Sequence, residues 1–376
     1  MQYRTFGKLG WKPSALGFGA MRLPNIGGDS GKIDEPEAIR SIRWAIDHGV
    51  NYVDTAYPYH KGTSEGLVGR ALQDGYRQRV MLATKLPSWL VKTADDFDRY
   101  LNEQLQRLQT DHIDFYLLHA LGAESWHTMR DLRVLDWAEK ALADGRFRYL
   151  GFSFHDRYEA FQEIVDAYDA WTFCQIQYNY MDEENQAGAK GLQYAAQKGL
   201  AVVVMEPIRG GALALPPQQV QALFDSAAHK RSASEWALQW VWNHPEVSVV
   251  LSGMSSMAQV QENVAAAERS RVGALSQDEL ALVARVRDIY RALMPIPCTD
   301  CQYCMPCPHD VDIPRNFHVY NESVMYSDPH ELDFQYSSMP EKRRASACQE
   351  CGECEEKCPQ QIPIQDWLKK VHQAAQ

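Results

Sequence analysis

Long apolar runs and an excess of positive charge are both missing from this sequence of 376 residues. No run approaches the ~20 consecutive apolar residues that a membrane-spanning helix requires, so we expect no membrane association. The 49 acidic residues outnumber the 38 basic ones, and the formal net charge of −11 argues against polyanionic nucleic acids as partners. Residues 1–7 lack the apolar core of a secretory signal, so the expected compartment is the cytoplasm.

Cysteine is nearly absent from most of the chain. Cys174 stands alone among the first 297 residues, whereas the other eight cysteines lie in the last 79. Small secreted proteins held by disulfides are usually dense in cysteine throughout. A large cysteine-poor body with a cysteine-rich end therefore indicates metal ligation in a reducing compartment. Cys174 itself lies in a predicted strand, where we expect it to be a buried packing residue.

The first ~290 residues alternate short apolar runs with segments whose apolar residues recur at helical spacing, which is typical of parallel βαβ units. A (β/α)₈ TIM barrel of about 250 residues fits this length. The alternative is an open doubly wound sheet, but no G-x-G-x-x-G follows the first strand. The eight predicted strands are Leu16–Ala20, Tyr52–Thr55, Val80–Thr84, Ile113–Leu118, Tyr149–Phe152, Phe173–Gln177, Ala201–Met205 and Val247–Leu251.

A further helix is predicted from residue 276 to residue 293, with Ser276 and Glu279 as a capping box. Two prolines in the sequence Met294-Pro295-Ile296-Pro297 then end it, because proline cannot continue a helix and constrains the residue before it. We therefore predict a barrel domain of residues 1–293 and a second, smaller domain of residues 294–376.

Three consecutive predicted strands end in the ionisable side chains of Asp54, Lys85 and His119, and Tyr59 lies in the loop after the first of them. Because the carboxyl ends of barrel strands share one rim, we expect these four side chains to meet there. The set suits protonation of a carbonyl oxygen while hydride reaches its carbon. We expect Lys85 to lower the pKa of Tyr59, Asp54 to keep Lys85 charged, and neutral His119 to orient the carbonyl.

A structural ion pair between Asp54 and Lys85, with His119 as a satisfied core histidine, is the alternative interpretation of the same residues. Trp89, Trp126 and Trp137 are candidates either for the mouth of the pocket or for packing.

The segments that carry these residues resemble the aldo-keto reductase signature, namely Asp54–Tyr59, Ser64-Glu65, Ala83–Lys85 and Asp114–His119. The resemblance covers about residues 1–290 and assigns the catalytic tetrad to Asp54, Tyr59, Lys85 and His119. Tyr57 competes with Tyr59 by proximity, but the spacing from Asp54 favours Tyr59. The resemblance implies a barrel that reduces aldehydes or ketones, or oxidises alcohols, with a nicotinamide cofactor at the strand ends.

The nicotinamide end of that cofactor site departs from the family pattern. Ser153 and Gln175 match the positions that bind the carboxamide, whereas Phe154 replaces the usual asparagine and Met205 replaces the stacking aromatic. The loop after Met205, which we call the strap, is rich in glycine and contains an arginine. Such a loop is suited to lie over the pyrophosphate of the cofactor. The strap residues expected to contact it are Glu206, Arg209, Gly210 and Gly211.

The adenosine half is expected at a small-residue turn that opens a helix after the eighth strand, where free N–H groups and the helix dipole favour phosphate. Met254 and Gln259 stand where the family has a lysine and an arginine for a 2′-phosphate; Arg269 and Arg271 are candidate substitutes. The choice between NADH and NADPH therefore stays open. The expected contacts are Ser252, Gly253, Met254, Ser255, Gln259, Glu262 and Asn263.

The cysteine-rich end carries two similar runs. The second run, C-x₂-C-x₂-C-x₃-C-P from Cys348 to Pro359, has the ferredoxin spacing for a [4Fe–4S] cluster. The first run, from Cys298 to Pro308, is one residue short before its last cysteine. Zinc sites more often use two separated C-x₂-C pairs, and zinc and disulfides are the alternatives to two [4Fe–4S] clusters.

In ferredoxins the fourth cysteine of each run ligates the other cluster. This rule predicts one cluster on Cys298, Cys301, Cys304 and Cys358, and another on Cys348, Cys351, Cys354 and Cys307. The alternative is that each run closes its own cluster. Helix-like segments at residues 315–326 and 364–375 predict a mainly α-helical ferredoxin-like domain, and the tail resembles that of a minority of aldo-keto reductase relatives.

Several functions are compatible with these features. In the favoured one, the barrel interconverts a small carbonyl compound and its alcohol with NAD(P)H, and two clusters exchange electrons with a partner such as ferredoxin. In a second, the clusters are structural or sense redox state on an ordinary carbonyl reductase. In a third, nicotinamide has been abandoned and the clusters feed the substrate directly. A non-enzymatic electron carrier would leave the tetrad without a purpose.

Overall fold

The computed structural model describes residues 1–298, 302–358 and 360–376. Eight parallel strands pair in sequence order and β8 closes on β1, so the sheet is a closed barrel. All eight predicted strands form. They are β1 (Leu16–Gly19), β2 (Tyr52–Asp54), β3 (Met81–Leu86), β4 (Ile113–Leu121), β5 (Phe147–Phe154), β6 (Phe173–Gln177), β7 (Ala201–Met205) and β8 (Val247–Gly253).

Helices follow the strands around the barrel, and α1 illustrates why they form. Asp34 caps its first turn by accepting the N–H of Glu37, and apolar side chains at helical spacing bury one face. The helices of residues 1–298 are α1 (Glu35–Asp47), α2 (Ser64–Ala71), α3 (Asp95–Leu108), α4 (Ala123–Asp131), α5 (Val134–Ala143), α6 (Tyr158–Asp166), α7 (Gly188–Gln197), α8 (Gln218–Ser226), α9 (Ala233–Trp242), α10 (Met257–Glu268) and α11 (Gln277–Ala292).

Four strands run further toward the rim than predicted, namely β3, β4, β5 and β8. β3 continues through Lys85 to Leu86, because these residues still pair with β4. β4 passes His119 and ends at Leu121, with a register shift against β5 and a left-handed backbone at Ala120, where φ is 53°. This irregularity lies directly beside His119, consistent with the role of bulges in aiming side chains at sites.

The opposite end of the barrel is closed by the N-terminal segment. Phe6 is fully buried and packs against Phe115 and Phe173, with ring centroids 4.8 and 5.7 Å away. Gly7, with φ of 52°, lies so close to β7 that a Cβ there would be 2.7 Å from the backbone nitrogen of Ala201. The N-terminal segment therefore fills the end of the barrel where the strands begin. The opposite rim, where the strands end, is left for the site.

The described residues divide into two compact units. One comprises Met1–Gly210 and Glu235–Ser276, and the other comprises Gly211–Ser234 and Gln277–Gln376. The second unit thus gathers α8 and α11 together with the cysteine-rich end. The domain boundary between residues 293 and 294 stays a prediction. In the described part of the chain no helix is both long and apolar enough to cross a membrane.

The cysteine-rich end is mainly helical, as predicted. An apolar core that includes Ile313, Phe317 and Leu368 holds its elements together, and six of its cysteines pack against that core. The predicted helices correspond to α12 and α15, whereas α13 and the one-turn α14 were not predicted. The bounds are α12 (Ile313–Tyr326), α13 (Pro329–Ser338), α14 (Glu353–Glu356) and α15 (Ile364–Ala374).

Candidate functional site

The rim of the barrel brings Asp54, Tyr59 and Lys85 into contact. Lys85 is fully buried and donates hydrogen bonds to Oδ1 of Asp54 at 2.6 Å and to the carbonyl oxygen of Thr55 at 2.8 Å. Its Nζ also lies 3.5 Å from the hydroxyl oxygen of Tyr59. The ring of His119 on β4 is 6.1 Å from that of Tyr59, centroid to centroid. The four side chains of the predicted tetrad therefore share one site.

Tyr57 faces away from this site. Its hydroxyl donates to Glu103 on α3 at 3.0 Å, and the guanidinium of Arg107 lies over its ring at 4.1 Å. Of the two candidate tyrosines, Tyr59 is the one whose hydroxyl reaches Lys85.

The pKa of Tyr59 is raised rather than lowered, so the predicted net direction is wrong. Burial raises this pKa, and the ammonium of Lys85 offsets only part of that effect. Burial lowers the pKa of Lys85, but the negative charge of Asp54 and the hydrogen bonds to Asp54 and Tyr59 outweigh that effect, and the pKa of Lys85 is raised. At neutral pH Tyr59 therefore keeps its proton beside a fully charged ammonium.

His119 is held neutral. Burial, followed by the charges of Lys85 and His155, lowers the pKa of His119 well below its usual value. Its Nδ1 has no hydrogen-bond partner within the described ranges. The ring of Trp89, which is 52 % exposed, lies 5.0 Å from the ring of His119, so a place for Trp89 at the mouth of a pocket stays a prediction that this contact supports. Trp126 and Trp137 instead pack against other aromatic rings away from the tetrad.

Gln175 offers an unsatisfied buried amide at the end where the nicotinamide ring is expected. Its Oε1 is buried without a hydrogen-bond partner in the described part of the chain, and its Nε2 lies 3.6 Å from the sulfur of Met205. A buried acceptor without a donor costs about 1–3 kcal/mol, and a carboxamide NH₂ would satisfy it. Ser153 Oγ accepts the N–H of Ala120 at 2.7 Å and keeps its own proton to donate. These residues fit a nicotinamide.

Phe154 takes no part in this arrangement. It is fully buried and its ring packs edge-on against Phe161 of α6, at 5.2 Å between centroids. Phe154 therefore offers no polar group here, and Ser153 and Gln175 are the residues of β5 and β6 that we consider for the carboxamide.

The residues after β7 form a constrained strap. Glu206 and Arg209 both have left-handed backbones, with φ of 55° and 50°. Non-glycine residues in that region cost about 1 kcal/mol or more and cluster at ligand sites. The guanidinium of Arg209 lies 3.4 Å from the buried carboxylate of Asp182, which holds it in place. Gly211, with φ of 110°, begins the second compact unit, and its contact with a cofactor stays a prediction.

Arg22 is a rim residue that the sequence reasoning missed. A Cβ built on Gly210 would lie 3.0 Å from its Nη2, and one built on Gly253 would lie 3.0 Å from its Cβ. The guanidinium therefore stands beside the strap and beside the end of β8. The available signal was its position three residues after β1, since the loops that follow barrel strands supply side chains to the rim.

The turn after β8 is organised as an N-terminal cap for α10. Ser256 accepts the N–H of Gln259, and the amide oxygen of Gln259 in turn accepts the N–H of Ser255 at 2.8 Å. Met254 is fully buried. Asn263 donates to Ser252 at 3.1 Å, both being buried, while Glu262 is exposed. Met254 and Gln259 stand where the family has its basic pair. Met254 is a core side chain, and the amide of Gln259 caps the turn.

Arg269 does not substitute for the missing basic residues. Arg269 lies just beyond the C-terminal end of α10, whereas the turn after β8 lies at its N-terminal end. At a rise of ~1.5 Å per residue, the length of the helix separates the two by about 18 Å. Its guanidinium is engaged with Glu235 at 2.9 and 3.0 Å. Arg271 follows still further along the chain. The structure thus holds Arg269 at the far end of α10 from the turn, and a role for Arg271 at a 2′-phosphate stays a prediction.

Two cavities in the cysteine-rich end are lined by cysteines from both runs. One, of about 340 Å³ including its opening to solvent, is lined by Cys298, Cys304 and Cys358. The other, of about 320 Å³, is lined by the remaining described cysteines of the two runs. Each cavity combines cysteines from one run with the last cysteine of the other. Cys301 lies outside the described residues. The cysteines that line the 320 Å³ cavity are Cys307, Cys348, Cys351 and Cys354.

A single zinc ion and an iron–sulfur cluster require different arrangements of cysteine sulfurs. Zinc–sulfur bonds of about 2.3 Å would draw tetrahedral sulfurs together around one ion. No three His, Cys, Asp or Glu residues in the described ranges gather as ligands for one metal ion. Burial raises the pKa of Cys354 to about 11, so an unligated thiol there is protonated, and a bound metal would deprotonate it. The N–H of Glu350 donates to the sulfur of Cys348 at 3.5 Å.

Comparison with known proteins agrees with this geometry. A family model described as the aldo/keto reductase family matches residues 15–288. The chain belongs to the aldo/keto reductase family. A second model, described as a 4Fe-4S dicluster domain, matches residues 297–362. The chain is thus an aldo/keto reductase-type oxidoreductase with a C-terminal 4Fe-4S domain.

Individual members of the family resemble most of the barrel. L-galactose dehydrogenase of Arabidopsis thaliana is 29 % identical over 308 residues, which cover 76 % of this chain and 94 % of that protein. The holo form of aldo-keto reductase AKR11C1 from Bacillus halodurans superposes with a TM-score of 0.63 at 27 % identity, covering 76 % of this chain and 96 % of that one. An aldo-keto reductase from Klebsiella pneumoniae in complex with NADPH gives a TM-score of 0.59 at 27 % identity, with the same coverage.

Proposed function

We propose that the barrel interconverts a small aldehyde or ketone and its alcohol, using NAD(P)H. The observation that carries this proposal is the buried Lys85, which contacts both Asp54 and the hydroxyl of Tyr59. Reduced nicotinamide, when bound, supplies the hydride to the carbonyl carbon. Tyr59 supplies the proton to the carbonyl oxygen, and the ammonium of Lys85 stabilises the phenolate that remains.

The remaining site residues prepare this proton transfer. Neutral His119 can donate a hydrogen bond to the carbonyl oxygen without competing as a general acid, because its pKa lies well below neutrality. Burial of Lys85 and Asp54 excludes water from the pair, which strengthens its electrostatic effect. We assign Ser153 and Gln175 to the carboxamide, and Arg22 and Arg209 to the pyrophosphate. Oxidation of the alcohol follows the same path in reverse.

The nucleotide is proposed to be NAD(P)H with weak discrimination between its two forms. The Klebsiella relative binds NADPH, but residues 252–263 of this chain contain no lysine or arginine. The 2′-phosphate would therefore meet the helix end without a cationic side chain from that segment.

Hydroxyl-rich carbonyl compounds are the first substrates to test. The Arabidopsis relative is named for its action on L-galactose, and Trp89 offers an exposed aromatic face at the pocket mouth. Initial rates with aldoses, their lactones, simple aldehydes and ketones should be measured with NADH and with NADPH. Turnover of at least one carbonyl class supports the proposal; nucleotide binding without turnover of any class contradicts it.

We further propose that the C-terminal domain carries two [4Fe–4S] clusters that exchange electrons with a redox partner such as ferredoxin. Two one-electron clusters match the two electrons of one hydride. The support is the pair of cysteine-lined cavities, each sharing cysteines of both runs. Iron and acid-labile sulfide counts after anaerobic purification should approach ~8 of each per chain; a stoichiometric zinc content with no sulfide would overturn this part.

A structural role for the clusters is the second candidate, and one observation favours it. Six cysteines of this domain pack against its small apolar core. Bound clusters would therefore cross-link the domain and stabilise its folded state. Serine replacement of Cys351 and Cys354 separates the two roles. A structural role predicts a lower melting temperature with full turnover in the folded remainder, whereas a relay predicts that partner-dependent turnover is lost.

Met205 and Phe154, which depart from the family pattern, are the residues that favour a reductase fed by the clusters without nicotinamide. Phe154 packs against α6, and Gln175 retains an unsatisfied amide oxygen beside Met205. These contacts support nicotinamide binding instead. Saturable quenching of tryptophan fluorescence by NADH or NADPH would exclude the nicotinamide-free alternative.

A further inference from the structure

We propose that His60 is a positioning residue that holds Tyr59 and Arg22 in one fixed arrangement at the barrel rim. His60 follows Tyr59 directly in the sequence, is 7 % exposed, and is not a member of the tetrad. The inference rests on the proposed carbonyl reduction, because the two groups that it positions are the proton donor and a nucleotide contact of that reaction.

Both ring nitrogens of His60 bind main-chain groups of the loop that joins β1 to α1. Nδ1 lies 2.6 Å from the carbonyl oxygen of Ser30, and Nε2 lies 3.1 Å from the N–H of Leu23. Since a carbonyl oxygen can only accept and an N–H can only donate, Nδ1 carries the proton and Nε2 accepts. One imidazole thus connects the Tyr59 segment to two separate points of the loop between β1 and α1.

The backbone of His60 is strained in the conformation that makes these two hydrogen bonds. His60 has φ of 52° and Lys61 has φ of 54°, both in the left-handed region that glycine adopts freely. Non-glycine residues in this region are strained and persist only where their surroundings impose that conformation. The two hydrogen bonds of the imidazole, one buried and one partly buried, offset the cost of that strain. The ion pair of Lys61 with Asp29 at 2.9 Å is exposed and contributes little.

The hydrogen bond between His60 and Leu23 connects the Tyr59 segment to Arg22. Leu23, whose N–H is bound by His60, follows Arg22 in the sequence, and the side chain of Arg22 lies beside Gly210 and Gly253. The main chain that presents Tyr59 and the main chain that presents Arg22 are therefore joined through a single imidazole. Loss of that imidazole would let both groups shift, and a displacement of ~1 Å can reduce turnover by about 10²-fold.

Three variants of the full cluster-loaded chain test the proposal. His60→Gly removes the imidazole while relieving the left-handed strain, and His60→Asn tolerates that conformation while keeping a donor and an acceptor. His48→Gln is the matched control, because His48 also binds a main-chain oxygen, that of Trp44 at 2.8 Å, but on an exposed helix end. Each is assayed with p-nitrobenzaldehyde for kcat and KM, with NADPH for Kd by fluorescence, and for its melting temperature.

We expect His60→Gly to lower kcat about 10- to 100-fold and to raise the Kd for NADPH about fivefold, the loss of roughly one hydrogen bond. His60→Asn should fall between it and the wild type, and His48→Gln should match the wild type. Values of kcat and Kd in His60→Gly within about twofold of the wild type, or a change in melting temperature alone, would overturn the proposal. If His60→Gly does not fold, His60→Asn decides by the same criteria. A wild type that neither binds NADPH nor reduces the aldehyde would instead overturn the proposed function.

Discussion

Lys85 donates a hydrogen bond to Asp54 at 2.6 Å, although neither side chain is more than 3 % exposed. A buried ion pair of this kind is weak support for stability, because desolvation of both charges largely cancels their attraction. Its contact with the hydroxyl of Tyr59 at 3.5 Å gives the pair a chemical use. Asp54 keeps Lys85 protonated, and Lys85 places a positive charge where a phenolate would form.

Tyr59→Phe should lower kcat for carbonyl reduction by about 10²- to 10⁴-fold, since it removes the proton donor and leaves the Lys85–Asp54 pair intact. The Kd for NADPH should change little. Tyr57→Phe is the matched control, because the Tyr57 hydroxyl binds Glu103 on the outer side. Steady-state rates and fluorescence titrations check both variants. Equal losses in the two variants would mean that Tyr59 is not the acid.

The pH profile of carbonyl reduction follows from two pKa shifts. Burial holds the pKa of Tyr59 above its usual value, so the donor stays protonated through neutral pH and is lost only as pH rises beyond ~10. Burial holds the pKa of His119 well below its usual value, so no ionisation of His119 should show near pH 6.5.

We therefore expect kcat for reduction to be flat between about pH 6.5 and 9 and to decline at higher pH. The profile should be recorded in constant-ionic-strength buffers, with the wild type and His119→Gln compared. An acidic limb near pH 6.5 that disappears in His119→Gln would show that His119 titrates as an ordinary histidine and would contradict this assignment.

Gln259→Arg should shift the nucleotide preference toward NADPH by about tenfold, because it places a cation at the start of α10, where Gln259 now caps Ser255. The measured quantity is the ratio of kcat/KM values for NADPH and NADH. Gln261→Arg is the control, since Gln261 is exposed on the same helix. An unchanged ratio in Gln259→Arg would place the 2′-phosphate elsewhere.

Pairs of cysteine replacements reveal which cysteines share a cluster. If the runs exchange their last cysteines, Cys307→Ser combined with Cys351→Ser removes one cluster and leaves ~4 irons per chain. Cys307→Ser combined with Cys298→Ser then removes both clusters. If each run closes its own cluster, the two iron counts are reversed. Cys174→Ala is the control, because this buried cysteine of β6 should not affect the iron count.

The barrel and the tetrad could be predicted because their signals are local. Apolar runs between helix-like segments located all eight strands, and ionisable residues at three strand ends located Asp54, Lys85 and His119. The mainly helical character of the tail followed from two amphipathic segments. α13 escaped prediction because only Leu332 and Tyr336 of its ten residues are buried, which leaves a weak helical pattern.

Other features depend on three-dimensional surroundings that a sequence does not display. The pKa of Tyr59 is raised because burial outweighs Lys85, and burial depends on how the rim packs. Arg269 is near the turn in sequence, but the length of α10 carries it away. Arg22 and His60 act through side-chain reach and a left-handed backbone, neither of which leaves a periodic pattern.

The central claim is that one chain couples hydride chemistry at Tyr59 and Lys85 to iron–sulfur clusters. Anaerobic titration of the cluster-loaded chain with NADH and NADPH, followed by the visible absorbance and the electron paramagnetic resonance of the clusters, tests it most directly. We predict that the clusters are reduced as nucleotide is added, and that Cys351→Ser halves the absorbance change. Nucleotide that binds, with fully loaded clusters that stay oxidised, would contradict the claim.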